Sequence, residues 1–541
     1  MIKISKIAMG LSVAALSLGA CTENFEELNT RPDALVADNL DINLLGNAFA
    51  NAQARAMYLA PGGGTSGFQI AQSLFGDLYS QYFATTQVNF DSDRYVQVGS
   101  WSNSAWNYYY GQAAPVIQFV EEFSETNELP VENAMIKVWK VAGYHRITDY
   151  WGPIIYSNFG NGETSVAYDT QEEIYKDFFT TLDEAVAVLK QNSGGTAFVG
   201  HDQIFGGSVD KWLTFANTLR LRLAMRIRFV EPALAQSEAE KAVADGVMES
   251  NADGAQIQTT INSRNPYWII TNWGEYRMSA LMESVMVGYD DPRTGVFFSE
   301  TADYQNTGEG EPYQGLRNGL SREEMGTPNL NDLNSDMGVI FLNEGRGGSA
   351  AGEPWRVLSA AEAQFLLAEG AAIGWNMGGT AQEFYEKGIT LSLTESRVGA
   401  TADVVEAYIN SENTPSAVTY PYKPEWNIAP NSSIPVKFMS GGSLEEQLEQ
   451  IGTQKWIAIY PDGWEAWAEL RRTNFPTPYP RLNSDNQDGV AVDEVMPRLV
   501  FVSGEYSNNL EAVEAAEEFP ELVSRGGNKN STKLWWDAKE D

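Results

Sequence analysis

The chain has 541 residues, with 72 acidic and 36 basic side chains, two histidines, one cysteine and a formal net charge of −36. This charge repels phosphate backbones, so we expect no nucleic-acid partner, and it favours a neutral ligand over a strongly anionic one. One cysteine cannot form an internal disulfide. With His145 and His201 as the only imidazoles, the chain also lacks the side chains for a catalytic triad or a zinc site. We therefore predict no metal and no cofactor, and structural roles for both histidines.

The first residues have the three parts of a signal peptide. Lys3 and Lys6 precede an apolar run over 7–18, and small residues stand directly before Cys21. The run is shorter than the ~20 residues that a helix needs to cross a bilayer. We predict that residues 1–20 are removed. The Leu-Gly-Ala-Cys sequence at 18–21 resembles the bacterial lipobox, so Cys21 is the predicted lipidation site and the only attachment to a membrane.

Helix starts are predicted by a Ser or Thr that precedes a Glu by three residues, a spacing that satisfies the free amides of a first helical turn. Apolar residues at helical spacing follow, so the predicted fold is mainly α. A helical pair over 359–373 and 380–397, with a glycine-rich turn between, is typical of tetratricopeptide-like hairpins. The five predicted starts are Thr170–Glu173, Ser237–Glu240, Ser359–Glu362, Thr380–Glu383 and Ser443–Glu446.

Long stretches rich in Gly, Asn, Ser, Asp and Pro interrupt the helices at 251–275 and 299–354. Loops of this length are uncommon in compact proteins and are often functional, although solvated decoration is equally compatible with the composition. We predict a ligand-binding subregion at about 251–354. Two further stretches, 410–442 and 473–530, also lack helical periodicity.

Several segments carry a family resemblance. Residues 451–460 read IGTQKWIAIY, and GWEAW at 463–467 and RRTNFP at 471–476 follow. They resemble the signature of SusD/RagB nutrient-binding outer-membrane lipoproteins of Bacteroidetes. Read singly, the tryptophans at helical spacing predict core packing, and Arg471 and Arg472 predict local pairing. Further segments that agree in order are Tyr150–Pro153, Lys211–Asn217, Leu219–Arg226, Asp291–Arg293, Glu362–Glu369 and Met496–Arg498.

The resemblance implies one SusD-like domain over 21–541, in which tetratricopeptide-like helix pairs support irregular segments that form the ligand surface. It also implies an anchor in the outer membrane with the body on the extracellular face. The implied partner is a SusC-like TonB-dependent β-barrel transporter, to which the protein would deliver a captured oligo- or polysaccharide. The implied role is binding and not catalysis.

A sugar offers apolar ring faces and a rim of hydroxyls, so its site needs exposed aromatic rings beside small polar side chains. Two stretches fit this description, 93–106 and 265–277. Trp106, Tyr109 and Tyr110 are expected to pack inward, and Tyr313 and Trp355 are weaker possibilities. The predicted glycan-binding residues are Trp101, Trp268, Trp273, Tyr276 and Asn265.

Three alternatives stay open from the residues alone. With the same role in delivery to a transporter, the ligand could be a peptide or another nutrient, which an unpaired strand edge would favour. A glycoside hydrolase would need two carboxylates across a scissile bond, but with 72 acidic residues such pairs arise by chance. A structural or adhesive surface protein would bind no soluble glycan saturably.

Among glycans, the net charge favours a neutral glucan. Asp485, Asn486 and Asp488 are predicted to form a polar turn, because a complete calcium loop is missing.

Overall fold

A computed structural model describes residues 42–59 and 65–539, and the signal-peptide and Cys21 predictions lie outside these residues. From residue 46 onward the chain forms one compact unit. The described chain is mainly α-helical, as predicted, and its four strands form two small two-stranded sheets.

The helices of the first half include the longest in the described chain. They are α1 (Ile42–Ala56), α2 (Thr65–Phe68), α3 (Gly99–Tyr108), α4 (Ala114–Thr126), α5 (Pro130–Trp151), α6 (Gln171–Gln191), α7 (Val209–Arg226) and α8 (Pro232–Asp245). Two π-helical segments, Gln69–Asp77 and Tyr109–Ala113, continue α2 and α3.

Short helices follow in the middle of the chain, and longer ones return after residue 359. They are α9 (Pro266–Ile270), α10 (Ala280–Gly288), α11 (Thr294–Phe297), α12 (Ala302–Thr307), α13 (Leu330–Leu333), α14 (Ala360–Ala372), α15 (Ala381–Thr394), α16 (Ala402–Ile409), α17 (Leu444–Ala458), α18 (Gly463–Thr473), α19 (Ser503–Asn508), α20 (Leu510–Glu517) and α21 (Pro520–Val523). The last three correct the prediction that 473–530 lacks helices.

Four of the five predicted helix starts are confirmed. Thr170, Thr380 and Ser443 each form a reciprocal capping box with the Glu three residues on, and the hydroxyl of Ser359 accepts a hydrogen bond from the Glu362 amide. The start at Ser237 is wrong. Helix α8 begins more than one turn earlier, because Pro232 supplies a preset φ at its first position and has no amide to satisfy.

Sequence neighbours pack as helical hairpins. Helix α4 packs on α5, α6 on α5 and α7, and α7 on α8, while α14 packs on α15 and α17. The predicted turn between α14 and α15 is present, and Gly374 and Gly378 adopt φ values of +88° and +84° in it, which glycine tolerates best. This series of hairpins is the scaffold on which the irregular segments lie.

A buried ionic group holds α7, α14, α17 and α18 together, and we call it the charge cluster. Its members are Arg222, Arg226, Glu362, Glu369, Lys455, Glu465, Glu469 and Arg472. Arg222 contacts Glu362 at 2.6 Å, Arg226 contacts Glu465 at 2.6 Å, and Arg472 contacts Glu469 at 2.7 Å. Burial alone would raise the pKa of Glu465, but Arg226, Arg222 and Lys455 hold that pKa at about 2. Glu465 is therefore ionised and paired inside the scaffold.

The segments that resemble the family signature lie in this scaffold. Trp456, Trp464 and Trp467 are at most 1% exposed, which confirms their predicted core packing. Arg472 pairs with carboxylates, and Arg471 donates to the carbonyl oxygens of Asp149 and Pro497, which confirms their local pairing. The signature thus records how the helices pack and does not mark a ligand surface.

The two sheets fasten irregular segments to the scaffold. Strand β1 (Phe83–Thr85) pairs antiparallel with β3 (Tyr276–Met278), with Thr85 opposite Tyr276. Strand β2 (Ala255–Ile257) pairs antiparallel with β4 (Trp355–Leu358). The β2–β4 sheet therefore joins the two ends of the predicted 251–354 subregion, and the β1–β3 sheet ties a point within it to residues 83–85.

Candidate functional site

The two stretches predicted to bind ligand meet in the folded chain. The pairing of β1 with β3 brings 265–277 against the loop that follows β1. In that loop the ring of Phe90 lies edge-on to Trp101, with centroids 5.8 Å apart, and also lies 5.8 Å from the ring of Tyr276. Phe90 therefore joins the first stretch to the second.

Trp273 is the aromatic side chain that this region presents most openly. It is 42% exposed and is the only exposed aromatic residue among those that the structure describes. It ends a 3₁₀ turn, Thr271–Trp273, and Gly274 after it adopts a left-handed conformation with φ +67°. The Gly274 carbonyl accepts a hydrogen bond from the Thr86 hydroxyl, which fastens the turn to the Phe90 loop. We call Trp273, Phe90 and Trp101 the aromatic face.

Trp101 and Phe90 are half-buried, which suits rings that are fixed on one side and accessible on the other. Trp101 lies in the first turn of α3, and its position is set by the helix and by its edge contact with Phe90. The neighbouring Val88 is 41% exposed, which extends the apolar character of this surface. The arrangement offers ring planes against which an apolar molecular face can pack.

Polar groups surround the aromatic face and hold one another in place. The Thr86 hydroxyl donates to the Asn331 side chain at 2.8 Å, and the Asn343 amide donates to the Asn272 side chain at 2.7 Å. Asn272 itself donates to the Trp268 carbonyl oxygen at 2.7 Å. Hydroxyl and amide groups of this kind both donate and accept hydrogen bonds, as the hydroxyls of a ligand require.

Trp268 is half-buried and is fixed from two sides. Its indole nitrogen donates to the Ser349 carbonyl oxygen at 2.6 Å, and the Arg264 guanidinium lies 4.3 Å from its ring centroid. The approach of Gly352 is close, since a Cβ at that position would meet the Trp268 Cβ at 3.3 Å. Part of the ring is therefore covered by the chain itself, which leaves less surface for a ligand than at Trp273.

Two predicted binding residues face inward and need correction. Tyr276 is 2% exposed, because strand β3 is buried and its ring packs against Phe83 and Phe90. Asn265 is 2% exposed and caps helix α9: its side-chain oxygen accepts from the Tyr267 amide at 3.0 Å, and its nitrogen donates to the Glu353 carbonyl oxygen at 2.8 Å. Both residues support the surface from within.

Buried side chains beneath α9 form hydrogen bonds with one another and support this surface from below. The Tyr267 hydroxyl donates to Asp77 at 2.7 Å, and the Gln72 amide donates to the Tyr267 hydroxyl at 3.0 Å. Burial raises the pKa of Asp77 to about 7, and the donors Tyr267 and Gln72 oppose that rise. The base of the site is therefore preorganised before any ligand binds.

Other predicted features have plain structural outcomes. Trp106 and Tyr109 are buried and Tyr110 is half-buried, in line with their expected inward packing, whereas Trp355 is 2% exposed and offers no ligand surface. The Asn486 side chain accepts from the amides of Asp488 and Val490, as in a polar turn. Within residues 42–59 and 65–539, no group of three His, Cys, Asp or Glu side chains could hold a metal ion.

Phe90, Thr86 and Asn331 were not among the predicted residues. Phe90 stands only three positions before the first predicted stretch, so its aromatic character was a usable signal. Asn331 is over fifty residues away from Trp273 along the chain, and its contacts with Thr86 and Arg277 in the folded structure reveal its place. In the part of the chain that the structure describes, no helix is both long and apolar enough to span a bilayer.

A helical scaffold that carries an aromatic surface on irregular loops is the architecture of a binding protein. The chain matches the family model described as SusD-like, Susd and RagB outer membrane lipoprotein, over residues 27–537. It therefore belongs to the SusD/RagB family, as the sequence segments predicted. Members of this family are binding proteins, which confirms the prediction of a non-enzyme, and the family description supports an outer-membrane location.

Solved structures of similar proteins agree in fold along almost the whole chain. A chitin-binding SusD homologue from Flavobacterium johnsoniae is 35% identical, with a TM-score of 0.81 over 92% of this chain and 99% of that one. A SusD-like protein from Bacteroides thetaiotaomicron is 34% identical, with a TM-score of 0.80 over 92% and 99%. A SusD homologue from Bacteroides uniformis is 33% identical, with a TM-score of 0.80 and the same coverage. No curated protein matches the chain at a significant level.

Proposed function

We propose that this protein captures a neutral glycan on the aromatic face. The observation that carries the proposal is Trp273, an exposed indole at the end of a fixed turn, next to amide and hydroxyl groups. Exposed aromatic rings are otherwise missing from the described surface. A ring that remains in water in the free protein gains contact area when the apolar face of a sugar covers it.

We assign the ligand to chitin-type oligosaccharides first and to neutral glucans second. The relative from Flavobacterium johnsoniae is named as chitin-binding, and chitin is uncharged. The net charge of −36 opposes polyanionic glycans for the same reason that it opposes nucleic acids. Burial of both β1 and β3 leaves little exposed strand edge for a peptide to extend, which favours the glycan over the peptide alternative.

Calorimetry against a panel of chitin-type, neutral glucan and anionic oligosaccharides tests this proposal. We expect saturable binding of a neutral ligand and a loss of about ten- to hundredfold in affinity in Trp273→Ala, the loss of an aromatic contact worth roughly 1–3 kcal/mol. Trp101→Ala should lose affinity as well. Trp375→Ala, which alters a half-buried indole away from the face, is the matched control and should bind as wild type. Equal affinity in all four proteins would contradict the proposed site.

In the cell, we propose, the protein is processed at residue 20, lipidated at Cys21, and held at the extracellular face of the outer membrane as a single SusD-like domain. From there it would deliver the captured glycan to a SusC-like TonB-dependent transporter. The Leu-Gly-Ala-Cys sequence and the family description support this role. An adhesive protein would also hold glycan at the surface but would not promote uptake.

Cys21→Ala separates binding from delivery. The purified variant should bind glycan with wild-type affinity, because Cys21 precedes the compact unit that begins at residue 46. Cells that carry only this variant should lose uptake of the same glycan, and cell fractionation should find the protein released from the membrane. Undiminished uptake by such cells would contradict the delivery proposal, while reduced affinity in solution would contradict the role of Cys21 as an anchor only.

A further inference from the structure

A cleft of about 350 Å³ lies beside the first turn of α3, on the side of that turn away from Trp101. Its volume is at the lower end of the range for small-ligand sites, roughly 300–1,000 Å³. The residues that form it come from the segment before α3, from the first turn of α3 and from three C-terminal segments. The lining includes Val96, Gln97, Gly99, Gln487, Ser503 and Tyr506.

The cleft and the aromatic face share one helical turn. Successive residues of an α-helix are turned by about 100°, so Gly99 and Ser102 project on similar sides of α3, while Trp101 projects well away from both. Gly99 and Ser102 line the cleft, and Trp101 belongs to the aromatic face. The first turn of α3 is therefore a ridge between the two surfaces. Gly99 and Ser100 on this ridge are exposed and small, so a chain molecule can cross it.

The floor of the cleft is rigid and its polar atoms are already satisfied. The Gln97 side chain accepts from the Val500 amide at 2.7 Å and from Asn530 at 2.8 Å, and it donates to Ser102 and to the Val500 carbonyl oxygen, each at 3.1 Å. Asn530 also donates to the Arg498 carbonyl oxygen at 3.0 Å. A ligand can therefore occupy the cleft without breaking any of these hydrogen bonds.

The walls combine apolar surface with a polar rim. Val96, Val500 and the ring of Tyr506 line the cleft, and the Tyr506 hydroxyl is held by Glu517 and by the Asn528 amide. Gln487 and Ser503 are exposed at the edge, where they can donate and accept hydrogen bonds. The one carboxylate of the lining, Asp485, is paired with Arg94 at 2.6 Å. This combination suits an uncharged ring with one apolar face and hydroxyls at its edge.

We propose that this cleft is a second subsite for the same neutral glycan, so that one chain lies on the aromatic face, crosses the first turn of α3 and places a further sugar unit in the cleft. The inference rests on the proposed function. It adds that the protein selects for chain length, because only an oligosaccharide long enough to cross the ridge contacts both surfaces.

The test is calorimetry with a series of chitin-type oligosaccharides of increasing length on the wild type and on Gly99→Trp. A Cβ at Gly99 would meet no atom within 4 Å and its φ lies outside the left-handed region, so the backbone accepts an indole at this position of the cleft lining without strain. Gly111→Trp is the matched control, since Gly111 is equally open but lies in the π-helical segment that follows α3. The melting temperatures of both variants should match that of the wild type.

For the wild type we expect affinity to rise with chain length until the ridge is crossed. Gly99→Trp should reduce the affinity for the longer oligosaccharides about tenfold, to the level of the shorter ones, while short oligosaccharides bind as before. The double variant Gln487→Ala with Ser503→Ala should lower the affinity for long chains in the same selective way. Gly111→Trp should change neither.

Two results would overturn the inference while leaving the proposed function intact: the same affinity for long chains in Gly99→Trp and the wild type, or an equal loss for short and long chains. If no oligosaccharide of the series or of the glycan panel binds the wild type, the proposed function is wrong, and the proposed subsite is wrong with it. The effect of Trp273→Ala on glycan affinity distinguishes these cases, because the variant loses affinity only if the aromatic face binds glycan.

Discussion

Tryptophans lie both beside the charge cluster and on the aromatic face, but they are buried in the first place and accessible in the second. In the cluster, Arg472 is fully buried between two carboxylates, and next to it the signature tryptophans are enclosed by helices. At the face, Trp273 stands in solvent at the end of a 3₁₀ turn. The difference shows that a signature by which a family can be recognised need not lie where its members bind. Helix packing constrains the scaffold, and loop conformation sets the ligand surface.

The largest expected effect comes from breaking the charge cluster. Arg472→Met would leave Glu369 and Glu469 buried without their bidentate partner, which costs about 3–5 kcal/mol of unfolding free energy. Urea denaturation followed by circular dichroism measures the loss. The exposed Arg322, 3.3 Å from Asp91, gives the control: Arg322→Met should change stability by less than about 1 kcal/mol. Equal stability of both variants would show that the cluster does not hold the scaffold.

A pH effect is expected next, at the junction of α10 with the irregular stretch. Glu283 is buried and accepts hydrogen bonds from the Gly315 amide at 2.5 Å and from the Gln314 side chain at 2.8 Å. Burial raises the pKa of Glu283 from 4.5 to about 8, and these two donors oppose the rise. The folded state therefore holds a proton that the unfolded state releases, so stability should fall as pH rises through this window, by up to about 1.4 kcal/mol per pH unit.

Glu283→Gln removes the ionisation, so its unfolding free energy should fall less steeply than that of the wild type between pH 5 and pH 8. Denaturation in urea at several pH values gives this slope. Glu300→Gln, at an exposed site, should keep the wild-type slope. A Glu283→Gln variant with the wild-type slope would mean that Glu283 is already ionised in the folded protein.

The smallest expected effect sharpens the corrected role of Asn265. Asn265→Ala removes the cap of helix α9 and should cost about 1 kcal/mol of stability, while its effect on glycan affinity should stay well below that of Trp273→Ala. Asn262→Ala, at an exposed neighbour, should alter neither quantity. If Asn265→Ala abolished glycan binding and left stability unchanged, Asn265 would contact the ligand directly, as the sequence suggested.

Much of the scaffold could be predicted because its signals are local. The boundaries of α14 and α15 follow from caps and glycines within a few residues, and three capping boxes are formed as the spacing requires. The error at Ser237 arose where two local signals competed and Pro232 prevailed. For the site, the sequence located both aromatic stretches but not the exposure of each ring, so Tyr276 and Trp273 appeared equivalent.

By itself, the sequence determined the helical class, the family, the acidic charge and the two stretches that supply the aromatic face. These properties depend on residue types and short spacings. Only the tertiary structure decided that β1 pairs with β3, that Phe90 joins Trp101 to Tyr276, and that Trp273 is the one exposed aromatic residue in the described part of the chain. Exposure of a ring depends on what packs against it, and those partners come from segments almost two hundred residues apart along the chain.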